Sequence, residues 1–197
     1  MDAAAAGKKQ LRRVRTLGSG ASGAVVWLAS DDASGELLAV KSAGSPVAAE
    51  QLAREARVLS GLSSPHVVPC LGVRAGDGGE YQLFLQFAPG GSLADVAARS
   101  GGRLSERETR AYAADVARGL AYLHGLSLVH GDVKARNVEC ERHSSVNVDS
   151  GIVPFPARLL VTEAKSWNSA VFVKENQKFI SISVFALAQV QVFACII

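Results

Sequence analysis

His130-Gly131-Asp132-Val133-Lys134-Ala135-Arg136-Asn137 is the stretch on which the reading of this 197-residue chain turns. It sets an acid, a lysine two residues on and an asparagine five on. Each has a chemical use at that spacing. The Asp can accept a proton from a hydroxyl, the Lys can face a phosphate, and the Asn can hold a magnesium ion. These are the parts of a phosphoryl-transfer site, and they direct the search upstream for something that grips a triphosphate.

Upstream, Ser105 followed by Glu108 is a capping-box signal opening a long helix. In it Tyr112, Val116, Leu120 and Leu123 share one face, and it is expected to end near His124-Gly125. Pro89-Gly90-Gly91 is a breaker, and residues 82–87 are an apolar strand candidate. Pro65 and Pro69 bracket a short extended piece. Residues 48–60 carry Leu52, Ala56 and Leu59 at helical spacing. Residues 11–17, 24–29 and 36–41 are expected to be strands. Strands first and helices after is the order of an α+β protein with two lobes.

Between the first two strands stands Gly18-Ser19-Gly20-Ala21-Ser22-Gly23-Ala24-Val25. Its glycines let a backbone fold closely over phosphates, and Val25 can cover an adenine. A dinucleotide site would need a helix after the glycines, whereas Ala-Val-Val-Trp-Leu-Ala reads as a strand. Leu38-Ala39-Val40-Lys41 ends an apolar strand in a lysine that can aim its ammonium at the α- and β-phosphates. Such a lysine needs a carboxylate to hold it, and Glu55 on the following helix is the candidate. Each residue taken singly has a plain alternative, a solvated lysine or a solvated helix carboxylate. The ordered set does not.

In these residues the chain resembles the eukaryotic protein kinase family: Leu17 to Val25, Lys41, Glu55 and His130 to Asn137 stand where that family's motifs stand. Ser64-Pro65-His66-Val67-Val68-Pro69-Cys70-Leu71-Gly72 and Phe84-Leu85-Gln86-Phe87-Ala88-Pro89-Gly90-Gly91-Ser92-Leu93 look like the plant mitogen-activated protein kinase kinase kinases. The resemblance covers roughly residues 11–138, with 11–88 as an N-terminal antiparallel-sheet lobe and hinge and 89–138 as the start of a truncated helical lobe. It implies an α+β, protein kinase-like fold. It also implies a serine/threonine kinase using ATP and Mg2+, a protein substrate such as a downstream MAP kinase kinase, and a cytoplasmic or nuclear location. Asp132 would be the base and Lys134 a phosphate ligand, in the serine/threonine form of the loop. Ala39 joins the ATP-binding set, Leu85 would be the gatekeeper, and the Gln86 carbonyl and Ala88 N–H would meet the adenine edge. Gly131 replaces an Arg that commonly pairs with a phosphorylated activation loop, which argues against that mode of activation.

The resemblance then weakens. The family has an Asp-Phe-Gly motif roughly a dozen residues past the loop Asn, whose Asp bridges magnesium to phosphate. Here Val148-Asp149-Ser150-Gly151 offers Asp149, twelve residues after Asn137. It is either a degenerate metal ligand beside Asn137 or an accidental turn, since no Ala-Pro-Glu follows. Glu139 stands where an apolar side chain normally packs beneath adenine, so it is expected to turn away or take up a proton. With Cys140-Glu141-Arg142-His143 following, the expectation is that the usual short strand pair is missing. The far face of the 105–124 helix, Leu120 and Leu123 included, should then be half-covered, at a loss of ~1.5–3 kcal/mol per large side chain.

Composition changes at the same place. Eighteen of 19 glycines precede Val138, and three of four asparagines follow it. Residues 139–197 therefore read as a divergent tail, hypothetically from a truncated or alternatively spliced product. Its last stretch, Phe179 to Ile197, is apolar and uncharged. It is open to three readings: a non-native extension, a strand-like or aggregating segment, or, least favoured, a membrane anchor, since Gln189 and Gln191 are costly in lipid. A net charge of +3 with scattered basic residues argues against nucleic-acid binding. Three distant cysteines and no secretory pattern suggest a reducing, intracellular setting. Cys140 and His143 have a metal-like separation, but nothing completes a zinc site.

Overall fold

The computed structural model describes residues 10–19, 23–76, 80–141, 156–162 and 165–166. They divide into two compact units, one of Met1–Ser63 with Val68–Phe87, the other of Ser64–Val67 with Ala88–Ile197.

The first unit is a five-stranded antiparallel sheet. Strands β1 (Leu11–Ser19), β2 (Val25–Asp31), β3 (Leu37–Ala43), β4 (Cys70–Ala75) and β5 (Tyr81–Gln86) lie in the order β1-β2-β3-β5-β4. Strand alternation makes two faces. Leu38 and Val40 join Trp27, Ala29 and Phe84 in one core cluster. Lys41, one step out of phase, pairs with Leu83 across β5 and meets helix α1 (Pro46–Leu59) through Glu55. That helix starts as its chemistry dictates. Ser45 caps it by accepting the Ala48 N–H, and Pro46 occupies the first turn, where a missing N–H costs nothing. Leu52, Ala56 and Leu59, the three positions picked out by spacing, are buried.

The second unit opens with a two-residue strand β6 (Gly91–Ser92) and a short helix α2 (Leu93–Arg99), capped by Ser92 and Asp95 in reciprocal bonds. The long helix α3 (Glu106–Gly125) begins at the expected box, with Ser105 accepting from the Glu108 N–H while the Glu108 carboxylate takes the Ser105 N–H at 2.9 Å. After it come β7 (Leu128–Val129), a 3-10 turn (Ala135–Asn137), β8 (Val138–Cys140), β9 (Ala157–Leu159) and β10 (Lys165–Ser166).

Two expectations are overturned here. The short strand pair is present: β8 runs antiparallel to β9, with Val138 opposite Leu159 and Cys140 opposite Ala157. A strand needs inward apolar residues only at alternate positions. Val138 and Cys140 supply them, both fully buried, while Glu139 between them is not. The face of α3 is also covered. Tyr112, Val116, Leu120 and Leu123 are at most 2% exposed, and Leu159 and Ala157 belong to the same core cluster as the first three. The packing is close: a Cβ on Gly119 would lie 2.7 Å from Leu159 Cδ1 and 2.8 Å from the His66 carbonyl oxygen. Asp115 fastens the arrangement, accepting the Ala157 N–H at 3.1 Å and facing His66 and Arg118.

Candidate functional site

In the first unit the glycine-rich stretch joins β1 to β2. Leu17, Gly18 and Ser19 end β1, where Gly18 pairs with Val26 and Ser19 with Val25, after an irregularity at Thr16. Gly23 takes φ +77, the left-handed backbone that glycine adopts freely. Ala24 is buried and Val25 half-buried. Gly20, Ala21 and Ser22 lie outside the described residues. Ala39 pairs with Leu85, which is buried and was expected to be the gatekeeper, and Leu38 with Gln86, whose N–H donates to the Pro69 carbonyl.

The strongest electrostatic feature of this unit is the Lys41–Glu55 pair. Lys41 Nζ lies 2.6 Å from Glu55 Oε2, with side chains only 13% and 8% exposed. The pairing follows from sequence pattern: the out-of-phase position on β3 points at the helix, and the helix presents its carboxylate there. Removal from water makes each charge dependent on the other.

In the second unit Ala88 accepts the Gly91 N–H across the Pro89-Gly90 turn. The acidic loop is organised around Asp132. Its Oδ2 accepts from Lys134 Nζ at 2.7 Å and from Asn137 Nδ2 at 2.9 Å, and the same amide donates to the Asp132 carbonyl. Gly131 adopts φ +78, so glycine suits the loop's bend as well as replacing the arginine. Asp132 is thereby held in one orientation, with Oδ2 engaged by two donors.

Two neighbours of the loop owe their state to surroundings that the sequence did not show. His130 is fully buried; its Nδ1 accepts the Asp132 N–H at 3.3 Å while Nε2 donates to the Leu160 carbonyl at 3.1 Å. Burial holds its imidazole below the ordinary pKa, consistent with this neutral form. The histidine at the head of the loop was the available signal, but its partner Leu160 follows a strand, β9, that the sequence did not announce. Glu139 is the second. Burial, with the Asp95 carboxylate adding repulsion, pushes its pKa up to about 7, which meets the expectation that it would move toward the protonated form. Burial likewise pushes the Cys140 thiol up to about 12, leaving it unreactive.

Comparison with known proteins agrees with these motifs. The protein kinase domain family matches residues 11–153. Mitogen-activated protein kinase kinase kinase 17 of Arabidopsis thaliana is 43% identical over 130 residues, covering 64% of this chain and 34% of that protein. Its compatriot, mitogen-activated protein kinase kinase kinase 18, is 38% identical over 64% of this chain and 39% of its own length. Mitogen-activated protein kinase kinase 7 of the same plant is 31% identical over 76% of this chain and 49% of its own. This chain belongs to the protein kinase domain family. It spans between a third and a half of the length of these relatives.

Members of this family act with ATP and a divalent metal. The described donors here do not make a magnesium site. Asn137 can offer a metal only its one neutral amide oxygen, and Asp132 Oδ2 already accepts two bonds. Among the described residues no three His, Cys, Asp or Glu side chains gather where a metal ion could be held. Asp149, the other proposed ligand, lies outside the described residues, as do His143 and Phe179–Ile197. Among the described residues no helix is long and apolar enough to cross a membrane.

Proposed function

We propose that the chain is an ATP-binding serine/threonine protein kinase domain acting in an intracellular signalling cascade. Lys41, fixed by Glu55, neutralises α- and β-phosphate charge, and the Gly18–Val25 hairpin covers the phosphates. Leu85, Gln86 and Ala88 provide the gatekeeper and the backbone contacts to adenine. Asp132 takes the proton from a protein serine or threonine hydroxyl as that oxygen bonds to the γ-phosphorus. The bond from phosphorus to the bridging oxygen breaks, and ADP leaves with its electron pair. Lys134 faces the transferred group. The observation that carries the reading is the buried Lys41–Glu55 pair, because two charges removed from water without a ligand to serve are poor value for stability. The relatives' printed names support a MAP kinase kinase as the protein substrate.

A second reading, a nucleotide- or partner-binding module with impaired transfer, is favoured by the small number of metal donors around Asn137 among the described residues. One experiment separates the two. The full chain is incubated with γ-labelled ATP and a MAP kinase kinase, beside Asp132→Ala, and its melting temperature is recorded with and without ATP. Incorporation lost in Asp132→Ala supports the kinase. Equal, background incorporation with a melting temperature raised by ATP leaves the binding module standing, and no rise removes both.

A further inference from the structure

We propose that Val161 and Thr162 hold the place beside Asn137 where a second metal carboxylate would stand, so that this chain binds ATP without needing a divalent cation. The proposal rests on the ATP-binding reading above for its ligand, and on the path of one segment for its geometry.

Two described pieces of that segment pair with the acidic loop and with the residue just before it. At its start, the β8–β9 ladder sets Val138 opposite Leu159, and one step further the Leu160 N–H donates to the Asn137 carbonyl at 2.9 Å. The Leu160 carbonyl in turn accepts from His130, whose other nitrogen takes the Asp132 N–H. At its end, Lys165 pairs with Val129, the residue just before His130. Val161 and Thr162 directly follow Leu160, the residue whose N–H is bonded to Asn137.

Neither residue can do a carboxylate's work. Val161 is 1% exposed and carries no donor atom. Thr162 offers a neutral hydroxyl oxygen, which is buried. Magnesium gives up its water reluctantly and is held in nucleotide sites by one or two carboxylates together with the phosphates. An amide oxygen from Asn137 and a hydroxyl from Thr162 supply no negative charge to offset that loss. The position was invisible in the sequence because the motif search counts residues forward from Asn137, whereas the structure counts backbone partners.

The test uses the full chain and 2′/3′-O-(N-methylanthraniloyl)-ATP, titrated by fluorescence once in EDTA and once in excess Mg2+. The wild type is expected to show affinities within about threefold of each other, and so are Asp149→Asn and Glu163→Gln, the latter removing the carboxylate that follows Thr162 in sequence. Val161→Asp, which restores a carboxylate beside Asn137, is expected to bind about tenfold or more tightly when Mg2+ is added. Wild-type affinity raised tenfold by Mg2+ overturns the proposal, and the variant that loses the rise identifies the carboxylate responsible. If circular dichroism shows Val161→Asp unfolded, the wild-type titrations decide alone. Failure to bind the nucleotide in either condition defeats the ATP reading instead. The metal claim is then decided by Mn2+ titration of the chain followed by electron paramagnetic resonance. Mn2+ held by the wild type and released by Asp149→Asn or Glu163→Gln overturns it, while no wild-type binding supports it.

Discussion

Two lysine–carboxylate contacts of nearly equal length stand in the two units. Lys41 meets Glu55 at 2.6 Å with both side chains almost closed to water, whereas Lys134 meets Asp132 at 2.7 Å with side chains 46% and 35% exposed. Their distances do not distinguish them; their surroundings do. In the first unit neither charge has water to fall back on, so the pair acts as part of the core. In the second, solvent screens both partners, and the pair holds an orientation more than it holds the fold. A third charge, Glu139, completes the series: it is largely withdrawn from water like Glu55, yet faces Asp95 instead of a lysine.

The sharpest way to break that comparison is Lys41→Ala. Removing one member of a buried pair leaves the other uncompensated, and urea unfolding is expected to show a loss of about 3–5 kcal/mol. A loss under about 1 kcal/mol would mean that water reaches Glu55 after all.

Glu139→Gln should do the opposite. A carboxyl whose folded pKa is raised from 4.5 to about 7 favours its protonated form when folded. Its ionisation therefore weakens the fold as pH climbs from 4.5 through 7, and below 4.5 the penalty is absent. The variant is expected to be about 3 kcal/mol more stable than the wild type at pH 8 and equal to it near pH 4. Melting curves at the two pH values check this; a pH-independent gain would place the cause in packing.

Lys134→Ala is the smallest of the three, expected to change stability by less than about 1 kcal/mol in the same urea experiment. A loss approaching that of Lys41→Ala would erase the distinction between the two units.

What could be read from the chain beforehand was whatever local chemistry writes down. Ser105 and Glu108 mark the start of α3 because both halves of the cap lie within four residues. Lys41 and Glu55 were legible because strand and helix periodicities each put a charge on a predictable side. Strand β4 was missed because Gly72 sits at φ +148 and a register shift separates it from Cys70, so no clean alternation survives. Helix α2 was missed although Ser92 and Asp95 form a second capping box, because the preceding Pro-Gly-Gly reads as a break and the helix is only seven residues long. The β8–β9 pair lay beyond reach for a different reason. Each strand has three residues, too few for a pattern, and their partnership spans a stretch with no periodic signal.

The same limitation applies to the acidic loop's surroundings. Asp132, Lys134 and Asn137 announce themselves by spacing, but the backbone partner of Asn137, Leu160, comes from a distant segment. Chemistry carried on one short run is visible in a string of letters. Chemistry that depends on which distant segment lies alongside is not.

Gly119 carries a final implication. By lacking a side chain it leaves a notch in the helix, and the ridge that fills the notch is Leu159, contributed forty residues later from the part of the chain whose composition has changed. A lock cut to this depth implies its key. The apolar strand after the glycine-poor boundary is thus a structural member of the helical unit, and a polypeptide ending at Glu141 would carry an empty slot in its longest helix.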